Sequence, residues 1–192
     1  MLKKKDFWED VYKGKKSKHK NVWPSENVVR FVNNFFKDKK IRLLEIGFGW
    51  GNNLSFFKKK KLNYFGIEKS RKAFLHCKKN HKNIYCCDFI DAKMRKSYFD
   101  CIIDRQCIQH NNIKKIDSIL EKSAYILKKN GVMFSEFIDI NSYNFETETY
   151  SLKLKNLNKI FYRFKIIQAN YITNYNYLKK KIEHSYWFLF LK

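Results

Sequence analysis

Proline occurs once in this chain of 192 residues, at Pro24, and glycine six times. No repeat, Ser/Gly linker or low-complexity block interrupts the sequence, which predicts a single domain over residues 1–192. No apolar run approaches the roughly 18 residues needed to cross a bilayer, which excludes a membrane-spanning helix. The opening Met1-Leu2-Lys3-Lys4-Lys5-Asp6 has no apolar stretch behind it, so no secretory signal is expected and the cytoplasm is the default compartment. Acidic residues are scarce, 18 against 41 Lys and Arg, for a formal charge of +23. Such an excess invites a nucleic-acid partner. The cations are nearly all lysine, however, with arginine confined to Arg30, Arg42, Arg71, Arg95, Arg105 and Arg163. Arginine is the better reader of phosphates and bases. Lysine, asparagine, isoleucine, phenylalanine and tyrosine are abundant together and share A/T-rich codons. A solvated lysine surface is therefore expected ahead of a polyanion groove.

Cysteine is present in an odd number, at 77, 86, 87, 101 and 107, without any Cys-x-x-Cys spacing. The vicinal pair Cys86-Cys87 has poor geometry for an ordinary disulfide or tetrahedral zinc. No metal is expected, and a reducing compartment fits. Cys86 and Cys101 lie in apolar strand patterns and are expected in the core.

The apolar fraction of 44% suffices for a packed core. Ser25 is a candidate cap for a helix through Val28, Val29, Phe31, Val32, Phe35 and Phe36. Strands and helices then alternate. Strands are expected at 41–46, 63–68, 83–87, 99–103 and 132–138, and a helix at 52–60. A second helix is expected after Ser70, and a long one through Ile113–Leu127, stopped by Asn130-Gly131. A helix near 151–159 and closing strands at 164–171 and 185–191 complete the pattern, with tyrosine- and asparagine-rich, substrate-facing loops expected near 141–150 and 171–181. Such alternation implies an α/β fold with a mostly parallel sheet covered on both faces, the last strands antiparallel at one edge. Ligands in such sheets bind outside the carboxyl ends of the strands.

Strand one ends in Glu45-Ile46-Gly47-Phe48-Gly49-Trp50-Gly51-Asn52-Asn53, a Gly-x-Gly-x-Gly turn opening a helix. Asn52 stands where a dinucleotide fingerprint carries its third glycine, which disfavours a pyrophosphate ligand and a dehydrogenase. Glycines allow a tight turn on which a nucleoside can lie against bare main chain. Glu45 suits a ligand bearing an ammonium group. Strand two ends at Glu68, followed by Lys69, the right distance on for an acid accepting ribose hydroxyls. Strand three ends at Asp88-Phe89, with Asp91 nearby. Strand four is followed by Asp104-Arg105-Gln106-Cys107-Ile108-Gln109-His110.

These segments resemble class I S-adenosylmethionine-dependent methyltransferases of the small-molecule, type 11-like kind, over nearly the whole chain. The resemblance implies a three-layer, Rossmann-like, seven-stranded fold and S-adenosyl-L-methionine as cofactor. It implies that Glu45, Gly47, Phe48, Gly49, Gly51 and Asn53 form the cofactor loop, that Glu68 and Lys69 serve the ribose, and that Asp88 and Phe89 serve the adenine. Asp104 and Arg105 then sit where the loop passes the methionine part and the departing methyl group, and they form the catalytic set with His110, a base or substrate orienter. The family often has two adjacent histidines here; this chain has Gln109 before His110. Residues 1–36 resemble a helical flap over the cofactor, with Trp8, Tyr12 and Trp23 closing the pocket; plain core packing is the competing role. A small-molecule acceptor is expected, a sugar or polysaccharide precursor among the candidates. RNA or protein methylation is the alternative, yet no Asn-Pro-Pro-Tyr or Asp-Pro-Pro-Tyr follows strand four. A non-catalytic S-adenosylmethionine-binding protein is a further alternative.

Overall fold

The computed structural model describes residues 7–13, 23–36, 40–138, 157–176 and 181–192. In chain order the elements are α1 (Phe7–Lys13), α2 (Glu26–Phe35), β1 (Arg42–Ile46), α3 (Asn52–Lys59), β2 (Asn63–Glu68), α4 (Arg71–Lys78) and β3 (Ile84–Cys86). There follow β4 (Phe99–Arg105), a short 3-10 turn (Ile108–His110), α5 (Ile113–Ile126), β5 (Leu127–Ile138), α6 (Leu157–Ile160), β6 (Lys165–Asn176) and β7 (Lys181–Leu191). The sheet has seven strands in the order β3-β2-β1-β4-β5-β7-β6. Two compact units divide the chain, residues 1–93 and 94–192.

In the first unit β1, β2 and β3 are parallel, with Arg42 opposite Asn63 and Gly66 opposite Ile84. Leu43 to Ile46 are buried without interruption, as a strand covered on both faces requires. Gly66 gives room for the loop that follows β1. A Cβ there would stand 2.7 Å from Phe48 Cδ1 and 3.2 Å from Ile84 Cγ2. Ser70 caps α4 as expected, its hydroxyl accepting from Ala73 N–H at 3.3 Å. Ser25 occupies the cap position of α2 but makes no side-chain cap bond; its N–H donates to Asn53 Oδ1 at 2.9 Å instead. Cys86 is exposed, against expectation. It lies on a three-residue strand at the sheet edge where Ile84 alone is buried.

In the second unit β4 and β5 are parallel, and β7 runs antiparallel to both β5 and β6. Phe161 stacks on Phe190 at 4.1 Å, and Phe137 meets both Phe161 and Phe188. Burying a side chain of this size contributes about 1.5–3 kcal/mol. The long helix ends at Ile126, one residue short of the expected Leu127 and ahead of the Asn130-Gly131 stop. Leu127 leaves α5 to pair with Phe99, and the register shifts before Cys101 meets Val132. Asn130 takes the left-handed conformation inside that irregularity (φ 64), and a Cβ on Gly131 would stand 2.9 Å from Lys128 O. Residues 171–181, read as a substrate-facing loop, are largely strand: Tyr171 to Asn176 pair with Tyr186 to Lys181. Tyr, Ile and Thr in that stretch favour extended pairing. The other expected loop, 141–150, and residues 151–156 of the expected helix lie outside the described residues.

Candidate active site

The carboxyl ends of β1 and β2 meet a turn made almost wholly of bare backbone. Gly47, Gly49 and Gly51 all have positive φ (69°, 53° and 74°), a region that carries little penalty only for glycine. Their N–H groups are consumed within the unit. Gly47 donates to Ile67 O at 2.8 Å, Gly51 to Phe48 O at 2.9 Å, and Gly49 to Glu68 Oε2 at 2.9 Å. A phosphate cradle needs free N–H groups pointing at the ligand. These are spent, and the neighbouring side chains are acids, so the turn suits a neutral or cationic ligand.

Two buried carboxylates frame the turn. Glu68 is 5% exposed, and its other oxygen, Oε1, accepts from Ser70 N–H at 2.8 Å. Burial pushes the Glu68 carboxyl up, while the N–H groups of Ser70 and Gly49 pull it down. A carboxylate has about four acceptor positions; the Gly49 and Ser70 N–H groups take two and the Lys69 N–H also bears on it, which leaves acceptor capacity for a hydroxyl hydrogen. Glu45 Oε1 accepts from Asn53 Nδ2 at 2.7 Å. Since Asn53 Oδ1 takes the Ser25 N–H, Asn53 links the end of β1 to the start of α2. Cys77 lies under the turn, Sγ 3.7 Å from Gly49 O. Burial pushes its thiol up to about 12, helped by Glu45 and Glu68, so it is no nucleophile.

The first helix seats on this turn. A Cβ on Gly49 would stand 2.6 Å from Tyr12 Oη. The Tyr12 ring meets Trp50 edge-on at 5.2 Å, and Trp8 lies 6.2 Å from Tyr12. Glu9 Oε2 accepts from the Ser70 hydroxyl at 2.7 Å and from Lys72 N–H at 3.3 Å. The flap expected over 1–36 thus has two described pieces, α1 and the segment from Trp23 through α2; residues 1–6 and 14–22 lie outside the described residues. Trp23 is 74% exposed, whereas Trp8 is half-buried. Phe48 turns its ring inward onto Gly66. Lys69 is exposed. After β3, Asp88 is half-buried with Oδ1 accepting from Ile90 N–H at 3.2 Å, and Phe89 is buried.

The second unit carries the strand-four residues. Asp104 is 0% exposed, and its Oδ1 accepts from Cys107 N–H at 2.9 Å and Ile108 N–H at 3.1 Å. It therefore grips its own loop from beneath. Burial pushes its carboxyl up to about 7, against the pull of those N–H groups and the Ser135 hydroxyl; Glu136 adds to the push. Arg105 is exposed, its Nε 3.8 Å from Glu136 Oε1. Gln106 donates from Nε2 to the same oxygen at 2.9 Å. His110 ends the 3-10 turn half-buried, its Nε2 3.5 Å from Gln109 Nε2. That separation suits an amide N–H facing an unprotonated ring nitrogen.

Glu45, the glycines, Asn53 and Glu68 are thus brought together as the spacing suggested, with Tyr12 and Glu9 added from α1. Sequence reasoning passed over Glu136. An acid at the carboxyl end of an otherwise apolar strand was the signal that singled out Glu45 and Glu68, and it applies equally to Val132-Met133-Phe134-Ser135-Glu136. Among the described residues no group of three or more His, Cys, Asp and Glu is placed to hold a metal ion, and no helix is long and apolar enough to cross a membrane.

The family described as methyltransferase domain matches residues 20–188. A ubiquinone biosynthesis O-methyltransferase of Pelagibacter ubique (strain HTCC1062) is 35% identical over 101 residues, which cover 50% of this chain and 41% of that protein. The chain therefore spans about two fifths of that relative's length. Among solved structures, a SAM dependent methyltransferase from Archaeoglobus fulgidus superposes with a TM-score of 0.74 at 16% identity, covering 86% of this chain and 92% of the other. The Haemonchus contortus phosphoethanolamine N-methyltransferase 2, in complex with S-adenosyl-L-methionine, gives 0.67 at 15% identity over 97% of this chain and 56% of its own. At these identities the structural likeness establishes the fold.

Proposed function

This chain belongs to the methyltransferase-domain family, within the class I S-adenosylmethionine-dependent superfamily, and on that premise we propose that it transfers a methyl group from S-adenosylmethionine to a small-molecule acceptor. One observation carries the cofactor assignment: a turn of three left-handed glycines whose N–H groups are internally satisfied, framed by the buried acids Glu45 and Glu68. That set of acceptors fits a ligand with a diol and an ammonium group and does not fit a pyrophosphate. When bound, the cofactor supplies a methyl group already activated on a sulfonium.

The chain's own task is then binding, alignment and exclusion of water. Glu68 serves the ribose with its remaining acceptor capacity. Glu45, fixed by Asn53, attracts the ammonium end. Asp88 and Phe89 serve the base, Asp88 as acceptor and Phe89 as an apolar neighbour, with Lys69 at the exposed rim. Gly47, Gly49 and Gly51 offer main chain for close approach, while Phe48 acts from the core side. Arg105 serves the methionine end, on a loop that Asp104 holds in place. Trp8 and Trp23 are the aromatic cover. His110 receives or orients the acceptor's proton, which is worth roughly 10²- to 10⁴-fold for a hydroxyl acceptor. Alignment itself supplies the larger share of the acceleration.

The O-methyltransferase relative supports a small hydroxyl-bearing acceptor, and sugar or polysaccharide precursors stay within that class. The decisive experiment is transfer of labelled methyl from S-adenosylmethionine into a fractionated extract. Label in the low-molecular-weight fraction is expected. Label confined to RNA or protein would reassign the acceptor class, and none in any fraction would leave a cofactor-binding protein without transferase activity.

A further inference from the structure

Gln106 stands in the left-handed region (φ 59) on the loop after β4. A residue with a side chain keeps that conformation only where its surroundings over-determine it. Here they do so from one neighbouring strand. The Gln106 N–H donates to the backbone oxygen of Glu136 at 2.9 Å, and Gln106 Nε2 donates to Glu136 Oε1, also at 2.9 Å. Arg105 Nε lies 3.8 Å from the same carboxylate oxygen. Glu136 is 5% exposed, so these bonds to a charged acceptor are sheltered from water and stronger than neutral ones. From the other side Asp104 takes the N–H groups of Cys107 and Ile108. Two adjacent strands thus hold successive halves of one loop. The acid of β5 fixes 105–106 and the acid of β4 fixes 107–108, with His110 two residues on.

We propose that Glu136 is a positioning residue, which holds Arg105 and Gln106 on a left-handed backbone so that the strand-four loop is set before any ligand arrives. The assignment rests on the methyltransferase function above, because alignment of the cofactor's methionine end is what a preset loop serves. Glutamate suits the place better than glutamine. Its oxygen accepts from the Gln106 amide while its charge attracts the Arg105 guanidinium 3.8 Å away, and an amide in its place keeps an acceptor but loses the charge.

The test uses variants of Gln106, which spare the buried Glu136. Gln106→Ala loses the side-chain bond and keeps the opposed backbone; Gln106→Gly loses the same bond but adopts the left-handed region freely. Two readouts are paired on the full chain: hydrogen exchange of amides 104–110 without ligand, and calorimetric titration with S-adenosylhomocysteine. In Gln106→Ala, exchange at 105–108 rises and S-adenosylhomocysteine binds about tenfold more weakly, the scale of the left-handed backbone penalty that the lost bond no longer opposes. In Gln106→Gly both recover to within about threefold of wild type. Glu136→Gln falls between wild type and Gln106→Ala in both readouts. Wild-type behaviour in Gln106→Ala overturns the proposal. So do equal losses in the alanine and glycine variants, which would mark a ligand contact or plain structure rather than backbone positioning. Faster exchange with unchanged affinity overturns it as well. A wild-type chain that binds no S-adenosylhomocysteine sinks the methyltransferase reading instead, and the clamp is then judged by the exchange difference between the two Gln106 variants.

Discussion

Replacing Asp104 by asparagine removes a charge from a position with no solvent exposure while keeping the oxygen that accepts the Cys107 and Ile108 N–H groups. In the wild-type chain burial moves the carboxyl from its ordinary 3.8 to about 7. That is roughly a thousandfold in proton affinity, or about 4 kcal/mol. Because the folded chain holds this proton more tightly than the unfolded chain, the Asp104 contribution falls as pH rises from about 4 to about 7 and is flat beyond. Asparagine has no such dependence. Stability of Asp104→Asn relative to wild type should therefore be lowest below about pH 4 and already rising by pH 5. It should climb with pH by up to about 4 kcal/mol and level off above pH 7. Urea unfolding of both proteins at pH 5, 6, 7 and 8 measures this, since titration of every other group cancels in the difference. A difference that stays constant would refute the buried-charge argument. One that shrinks with rising pH would show that the loop N–H groups outweigh burial and hold the carboxyl below 3.8.

Gly49→Ala places a methyl 2.6 Å from Tyr12 Oη at a φ of 53°; a loss of about 1–2 kcal/mol is expected by denaturant unfolding, part of it restored by adding Tyr12→Phe, which withdraws the clashing oxygen. Glu68→Ala and Asp88→Ala should each weaken S-adenosylhomocysteine binding in calorimetric titration, Glu68 the more because it also loses its hold on Gly49 and Ser70; wild-type affinity in both would contradict the site. His110→Ala should lower turnover by roughly 10²-fold or more on a hydroxyl acceptor while leaving cofactor affinity intact, and unchanged turnover on the true acceptor would remove His110 from the chemistry.

The parallel half of the fold was legible because its signals are local. The run Leu43 to Ile46 is a buried strand, the glycine turn breaks it, and Ser70 caps the next helix by a bond that sequence alone suggests. The end of α5 was not. Asn130-Gly131 reads as a helix stop, but pairing of Leu127 with Phe99 claims the chain first and leaves both residues to serve a sheet irregularity. The same limit applied to the site. Spacing placed Glu45 and Glu68 beside the turn, yet what fixes them is Asn53 for one, and Gly49 and Ser70 for the other. Asp104 was read as lying where the loop passes the cofactor, and spacing gave no sign that its Oδ1 holds the N–H groups of Cys107 and Ile108 in that loop. Orientation of a side chain at a strand end depends on bonds to residues far along the chain, and periodicity carries no record of them.

Glu9 completes its hydrogen bond 61 positions downstream, at Ser70. During synthesis the amino-terminal helix thus waits for its seat: at about 5–20 residues per second, Ser70 is made roughly 3–12 seconds after Glu9. Until Gly49 and Trp50 are made the aromatic side of α1 lacks the turn on which Tyr12 packs, and Glu9 lacks its partner until Ser70 follows. Nascent chains arrested shortly before and well after residue 70 should therefore differ in how readily a protease cuts near the amino terminus.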